Sequence, residues 1–223
     1  MFKTFWIALG ALSLSACATG TTNLSLGLAD DAAKPALLSE VSPEVLVLKE
    51  VKDSRKAEET ARIGDKRNGY GMVMGAIGTK TAPTDTVADV ITKTLEANGH
   101  TVTSTPDGKS LEVSAELTRF WLDYKTGFVT VEFFGDVQIN FSLTDPASGE
   151  VVFTDQFKGY YSDKTGGGLS KTWTRVMDAA LADLSKEISM STELMEALDD
   201  HEAAGETAAD VTPKAAEGDE AGA

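Results

Sequence analysis

Val129-Thr130-Val131-Glu132-Phe133-Phe134-Gly135-Asp136-Val137-Gln138-Ile139-Asn140-Phe141-Ser142-Leu143-Thr144 decides the fold of this chain. Val129, Val131, Phe133, Val137, Ile139, Phe141 and Leu143 hold odd positions, while Thr130, Glu132, Asp136, Gln138, Asn140, Ser142 and Thr144 face the other way. A period of two sustained over this length specifies a strand with one apolar face and one wet face. Gly135 interrupts the apolar series and reads as a bend in a strand too long to stay flat.

Working outward, Leu111, Val113, Ala115 and Leu117 alternate strictly before it, after a turn at Pro106-Asp107-Gly108. Behind it, Asp145-Pro146-Ala147-Ser148-Gly149 turns the chain into Val151, Phe153, Phe157 and Tyr161, which predicts an antiparallel hairpin with Gln156 and Lys158 on the wet face. Asp85 caps a helix carrying Val87, Val90, Ile91 and Leu95 at helical spacing, ended by Asn98-Gly99 and followed by a short strand from His100 to Ser104. Val45-Leu46-Val47-Leu48 reads as a short buried strand. After Gly166-Gly167-Gly168, the apolar series from Trp173 to Leu198 reads as one long amphipathic helix. The expected fold is an α/β two-layer sandwich, a mostly antiparallel sheet with two helices on one face.

The ends carry different information. The sole cysteine, Cys17, closes Leu14-Ser15-Ala16-Cys17 directly behind the apolar run Phe5 to Leu12, with Lys3 ahead of it. That is the order of a charged segment, an apolar segment and a small-residue cleavage site. The apolar run falls well short of the ~20 residues that span a bilayer. Residues 1-16 are therefore expected to be a lipoprotein signal peptide, with cleavage between Ala16 and Cys17. Residues 17-43 are rich in Ala, Thr, Ser and Leu and are expected to be a flexible tether. Residues 44-198 form the α/β domain. Residues 199-223 hold eight acidic residues against one lysine and are expected to be a disordered acidic tail.

The chain carries a formal net charge of -15, which becomes -16 once Lys3 leaves with the signal. Nucleic acid is not expected as a partner, because phosphate binding requires a basic face. With one cysteine there is no intramolecular disulfide, and the core alone must stabilise the domain.

The lipobox, the Val-Leu-Val-Leu strand, Asp53-Ser54-Arg55, the Gly-rich loop and the sheet closed by a final helix together resemble the YajG-type bacterial lipoproteins. The most telling local match is Ile63-Gly64-Asp65-Lys66-Arg67-Asn68-Gly69-Tyr70-Gly71-Met72, and the resemblance covers roughly residues 1 to 198. It implies acylation of Cys17 on its sulfur and on its new amine. One acyl chain binds only marginally and several make a durable anchor. By analogy with lipoprotein sorting in enteric bacteria, Ala18 in place of Asp implies the outer membrane, with the domain facing the periplasm. The resemblance carries over no catalytic residues.

The remaining motifs offer little chemistry. Gly69 to Gly75 misses the dinucleotide spacing by one residue and follows Asp-Lys-Arg rather than a strand, and Gly78-Thr79-Lys80 is not a phosphate loop. Tyr70, Met72, Val73, Met74 and Ile77 have two readings: they fold back over the open sheet edge, or Tyr70, Met72 and Met74 form a docking loop for a protein or for lipid. Asp53 and Arg55 either form a bidentate pair that anchors the long loop or mark a site. His100 begins a strand and His201 falls in the tail, so neither a triad nor a zinc site is expected. Phe120, Trp121, Tyr124, Phe128 and Phe134 either pack under loops or make a sticky surface. No catalytic, cofactor or metal residues are assigned. The expected function is a lipid-anchored envelope accessory or interaction protein without catalytic activity, bound to the membrane through Cys17 and to an envelope protein partner. The alternative is a carrier or assembly aid for a lipid or another amphipathic ligand, which needs an apolar groove between sheet and helices.

Overall fold

A computed structural model describes residues 20–68, 70–166 and 170–210, with side chains through residue 201. Its strands are β1 (Thr22–Leu24), β2 (Val45–Leu48), β3 (Lys52–Asp53), β4 (Gly64–Arg67), β5 (Val73–Thr79), β6 (Thr101–Thr103), β7 (Glu112–Thr126), β8 (Val131–Thr144) and β9 (Val151–Thr165). The helices are α1 (Ala57–Thr60), α2 (Pro83–Ala97), α3 (Ser170–Ser189) and α4 (Thr192–Asp210).

The alternating run is β8, the middle of a long antiparallel ribbon with β7 and β9. Its odd residues from Phe133 to Leu143 are buried and its even residues are not, as the period of two requires. β7 is the spine of the sheet. Along its other edge β2, β3 and β4 pair with it in succession and all in parallel, at Val47↔Glu112, Lys52↔Glu116 and Gly64↔Leu122. β6 lies beyond β2, and β5 and then β1 lie beyond β4. The architecture is thus an α/β sandwich whose largest pairings are antiparallel.

A bulge in β7 between Leu117 and Arg119 explains the out-of-phase aromatics. Val113, Ala115 and Leu117 are buried before it, and Phe120 and Leu122 after it. The inserted residue flips the side-chain phase, so Phe120 enters the core while Trp121 turns to the other face, where the Arg62 guanidinium lies 5.9 Å from its ring centroid.

Helix α3 covers the apolar face, and two glycines let it approach. A methyl group built on Gly135 would meet Met177 Sδ at 3.0 Å and Ala180 Cβ at 3.1 Å. One on Gly159 would overlap the Ala180 carbonyl oxygen and lie 2.6 Å from the Leu184 nitrogen. Gly135 is therefore a seat for α3 rather than the bend expected from sequence. Thr94 Oγ on α2 and Ser185 Oγ on α3 lie 2.7 Å apart in a buried hydrogen bond, joining the two helices. The expected long terminal helix is two. The break at Met190 is followed by Ser191, whose Oγ accepts the Leu194 N–H at 3.1 Å as the N-cap of α4.

Three expectations about irregular segments change. Residues 22 to 38 are not a flexible tether: Leu24, Leu28 and Leu38 are in the core, β1 pairs with β5, and the Gly27 and Ala36 N–H groups donate to Asp178 and Asn98. Burial of these leucines offsets the entropy of ordering the segment. The glycine-rich excursion is the β4–β5 hairpin, and a methyl on Gly75 would overlap the Gly20 carbonyl oxygen, so this glycine serves close strand approach. The acidic tail is helical through Asp210 as the end of α4. Residues 211–223, the signal segment 1-16 and Cys17 lie outside the described residues.

His100 is buried immediately before β6, where Nδ1 accepts the Glu44 N–H at 3.2 Å and Nε2 lies 3.1 Å from the Leu38 carbonyl oxygen. This pattern fits the neutral ring with its proton on Nε2. Burial pushes its pKa below the ordinary 6.5, against the Leu38 carbonyl and the Glu44 charge, which favour the proton. Below about pH 6.5 the unfolded chain takes up a proton that the folded chain resists, so this contribution to stability is complete above that pH and is lost as pH falls. His201 Nδ1 stands 3.5 Å from Glu44 Oε1. Thermal melts of a His201→Gln protein should therefore fall as the pH is lowered from neutral, and the added His100→Gln change should flatten that slope. An equal slope in both proteins would show that His100 is not held neutral.

Candidate functional site at the hairpin end of the sheet

Asp53 and Arg55 form the expected bidentate pair, with Arg55 Nε 2.9 Å from Asp53 Oδ1 and an Arg55 Nη 2.7 Å from Oδ2. The guanidinium is buried and also donates to the Glu59 carbonyl at 3.1 Å. Its hydrogen bonds hold the Asp53 carboxyl below the usual carboxylate range. All of this fixes the loop from β3 to β4, so the pair is an anchor. Asp178 has its pKa raised by burial, partly countered by the Gly27 N–H, and it likewise ties the N-terminal segment to α3.

The docking-loop residues are brought together differently. Asn68 Oδ1 accepts the N–H groups of Tyr70 and Met72 at 3.0 and 3.1 Å, and Gly71 takes φ +82°, closing a tight turn between β4 and β5. The turn holds the side chains outward: Tyr70 is 92% exposed, Met72 and Val73 are each 58% exposed and Met74 is 39% exposed. Only Ile77 of that group folds inward. The reading that they cover the sheet edge is therefore corrected, and the tip is an exposed apolar turn.

A second exposed turn lies beside it. Because β4 runs parallel to β7, the β4–β5 and β7–β8 turns project from the same end of the sheet. At the second, Phe128 is fully exposed and Val129 is 77% exposed. The remaining aromatics pack: Tyr124 lies tilted against Phe133 with centroids 5.4 Å apart and its hydroxyl accepts the Arg67 N–H at 2.6 Å, and Phe134 lies 6.4 Å from Tyr160. Between the turns sits an open cavity of about 250 Å³, lined by Arg67, Asn68, Tyr124, Val131, Phe133 and Trp173 among others.

Sequence reasoning singled out Phe128 but could not set it beside Tyr70. That juxtaposition comes from the parallel β4–β7 pairing, a long-range contact with no local signature. Among the described residues, no three His, Cys, Asp or Glu converge as a metal site, and no helix is long and apolar enough to cross a membrane.

No curated protein matches the sequence. A crystal structure of a Xanthomonas campestris protein is similar at 17% identity and TM-score 0.56, covering 80% of this chain and 99% of that one, which supports the fold. A minor lipoprotein from Acinetobacter baumannii is similar at 14% identity and TM-score 0.37, covering 66% of this chain and 92% of that one. A family model described as uncharacterized lipoprotein matches residues 38–199, and this chain belongs to that family, the YajG-type lipoproteins.

Proposed function

We infer that this protein is a lipid-anchored accessory protein of the bacterial envelope, acylated at Cys17, held at the outer membrane and facing the periplasm. It presents its α/β domain to an envelope partner and catalyses no reaction. Membership of a lipoprotein family, joined to a lipobox whose cysteine lies three residues before Gly20, is the observation that carries this reading. The buried Arg55 and His100 and the half-buried Asp178 support its non-catalytic side, because each holds one segment to another, Arg55 through the exposed Asp53. The wet face of β8 and β9, with Asn140, Gln156 and Lys158 exposed, is the surface offered to the partner. Under α3 there is no groove for an amphipathic ligand, because the helix lies directly on Gly135 and Gly159.

Labelled palmitate and envelope fractionation test the anchor. The native chain should carry label and sediment with the outer membrane, and Cys17→Ser should lose both. Label and outer-membrane sedimentation persisting in Cys17→Ser would refute the assignment. Crosslinking in intact cells tests the accessory role, which requires a discrete adduct that disappears when Asn140 and Gln156 are replaced by lysine.

A further inference from the structure

The geometry points to a bilayer-docking surface at the hairpin end of the sheet, and we propose that Tyr70, Met72, Val73, Phe128 and Val129 enter the interface of the membrane that holds the Cys17 lipid. The proposal rests on the lipidation of Cys17 inferred above. Its basis is the direction of β1. This strand pairs in parallel with β5, at Thr22↔Ile77 and Leu24↔Thr79, so its beginning lies at the end of β5 where the β4–β5 turn projects. The close approach of Gly20 to Gly75 continues the same register two residues further toward that turn. Three residues span at most about 11 Å, so Cys17 is covalently confined to the neighbourhood of the two exposed turns.

A lipid on Cys17 therefore brings the membrane surface to this end of the domain. The side chains waiting there suit it. Tyr and Phe are favoured at the membrane–water interface, where an apolar ring sits among headgroups, and Met and Val add apolar surface. A contiguous exposed apolar patch is uncommon on a domain that meets only water. Insertion of such residues reaches about 5–10 Å into the headgroup and acyl boundary.

The attraction is apolar rather than electrostatic. The cations at this end are largely neutralised: Arg67 pairs with Asp123 at 2.9 Å, Lys164 lies 3.8 Å from Glu132, and Arg175 pairs with Asp163. Lys66 Nζ donates to Thr22 Oγ, and Lys125 Nζ lies 5.5 Å from the Phe134 ring. A chain of net charge -15 gains nothing from anionic lipid. Docking should therefore be insensitive to salt. The β8–β9 turn, at the opposite end of β8, then stands roughly 45 Å farther from the bilayer.

The test uses the full lipidated chain reconstituted into vesicles of phosphatidylethanolamine and phosphatidylglycerol. Met72→Cys, Phe128→Cys and Ser148→Cys each receive an environment-sensitive fluorophore, Cys17 being occupied by lipid. Nitroxides on the acyl chains should quench the labels at 72 and 128 while aqueous iodide does not, and the label at 148 should behave in the opposite way. The pattern should survive high salt. Free access of iodide to 72 and 128 would overturn the proposal. Shielding of those labels from both quenchers would also overturn it, assigning the turns to a protein contact or a second copy. Palmitate incorporation is read on the same sample. Palmitate present with iodide access refutes docking alone, and palmitate absent refutes the anchor on which docking rests.

Discussion

Gly159→Val should destabilise the domain by about 3 kcal/mol or more, lowering Tm by roughly 6–12 °C. Strand β9 has no room for a side chain at this position, because the α3 backbone at Ala180 and Leu184 lies directly above it. Neither side can yield cheaply. The strand is fixed by its pairing with β8 at Val137↔Gly159, and α3 is fixed by the buried residues Val176, Met177, Leu181 and Leu184. The helix would have to lift from the sheet, opening contacts on both sides of the clash. Gly166→Ala is the matched control, since a methyl there meets nothing within 4 Å. Melting of Gly159→Val close to the native temperature would mean that α3 is not seated on β9.

Phe141→Ala carries an expected cost of about 3–5 kcal/mol. Its ring is fully buried and meets Phe153 and Phe157 edge-on, with centroids 6.2 and 5.7 Å away. Truncation removes a large apolar surface and leaves a void that two aromatic rings held in a sheet cannot close. The neighbouring Asn140 points to the other face, where its Oδ1 accepts a weak hydrogen bond from Gln156 at 3.3 Å. Asn140→Ala should therefore cost less than about 0.5 kcal/mol. Chemical denaturation of the two variants measures the two faces of β8 directly, and equal costs would refute the assignment.

Much of the central sheet was legible because β8 is wet on one side only. Val131 to Leu143 alternate with polar residues, and a one-residue slip would have exposed every one of them. Helix α2 was legible for a related reason, with Val87, Val90, Ile91 and Leu95 on one face and Asn98-Gly99 at its end. The segment before β2 was misread although it carried a signal: Leu24, Leu26 and Leu28 alternate among polar residues, as in a short strand. Its parallel pairing with β5 joins positions far apart in sequence and leaves no turn signature between them. β4 and β5 are joined by a local turn at Asn68, but Gly64 and Gly75 within them answer to the backbones of Leu122 and Gly20, which no local pattern shows. Of the candidate site, the apolar character of Tyr70, Met72 and Met74 was readable. Their exposure was not, because it depends on Asn68 closing the turn and on no described element lying across it.

The docking of β1 has a mechanical consequence. While the strand is in place, a lipid on Cys17 as proposed would be leashed to the domain by at most about 11 Å of chain. If β1 peels from β5 and the segment releases as far as Leu38, the same leash lengthens to roughly 70 Å. Release must expose Leu24, Leu28 and Leu38 to water, so the short leash is the resting state and the long one is reached only under load. Three buried leucines thus set how far a lipid at Cys17 would let this domain reach from its anchor.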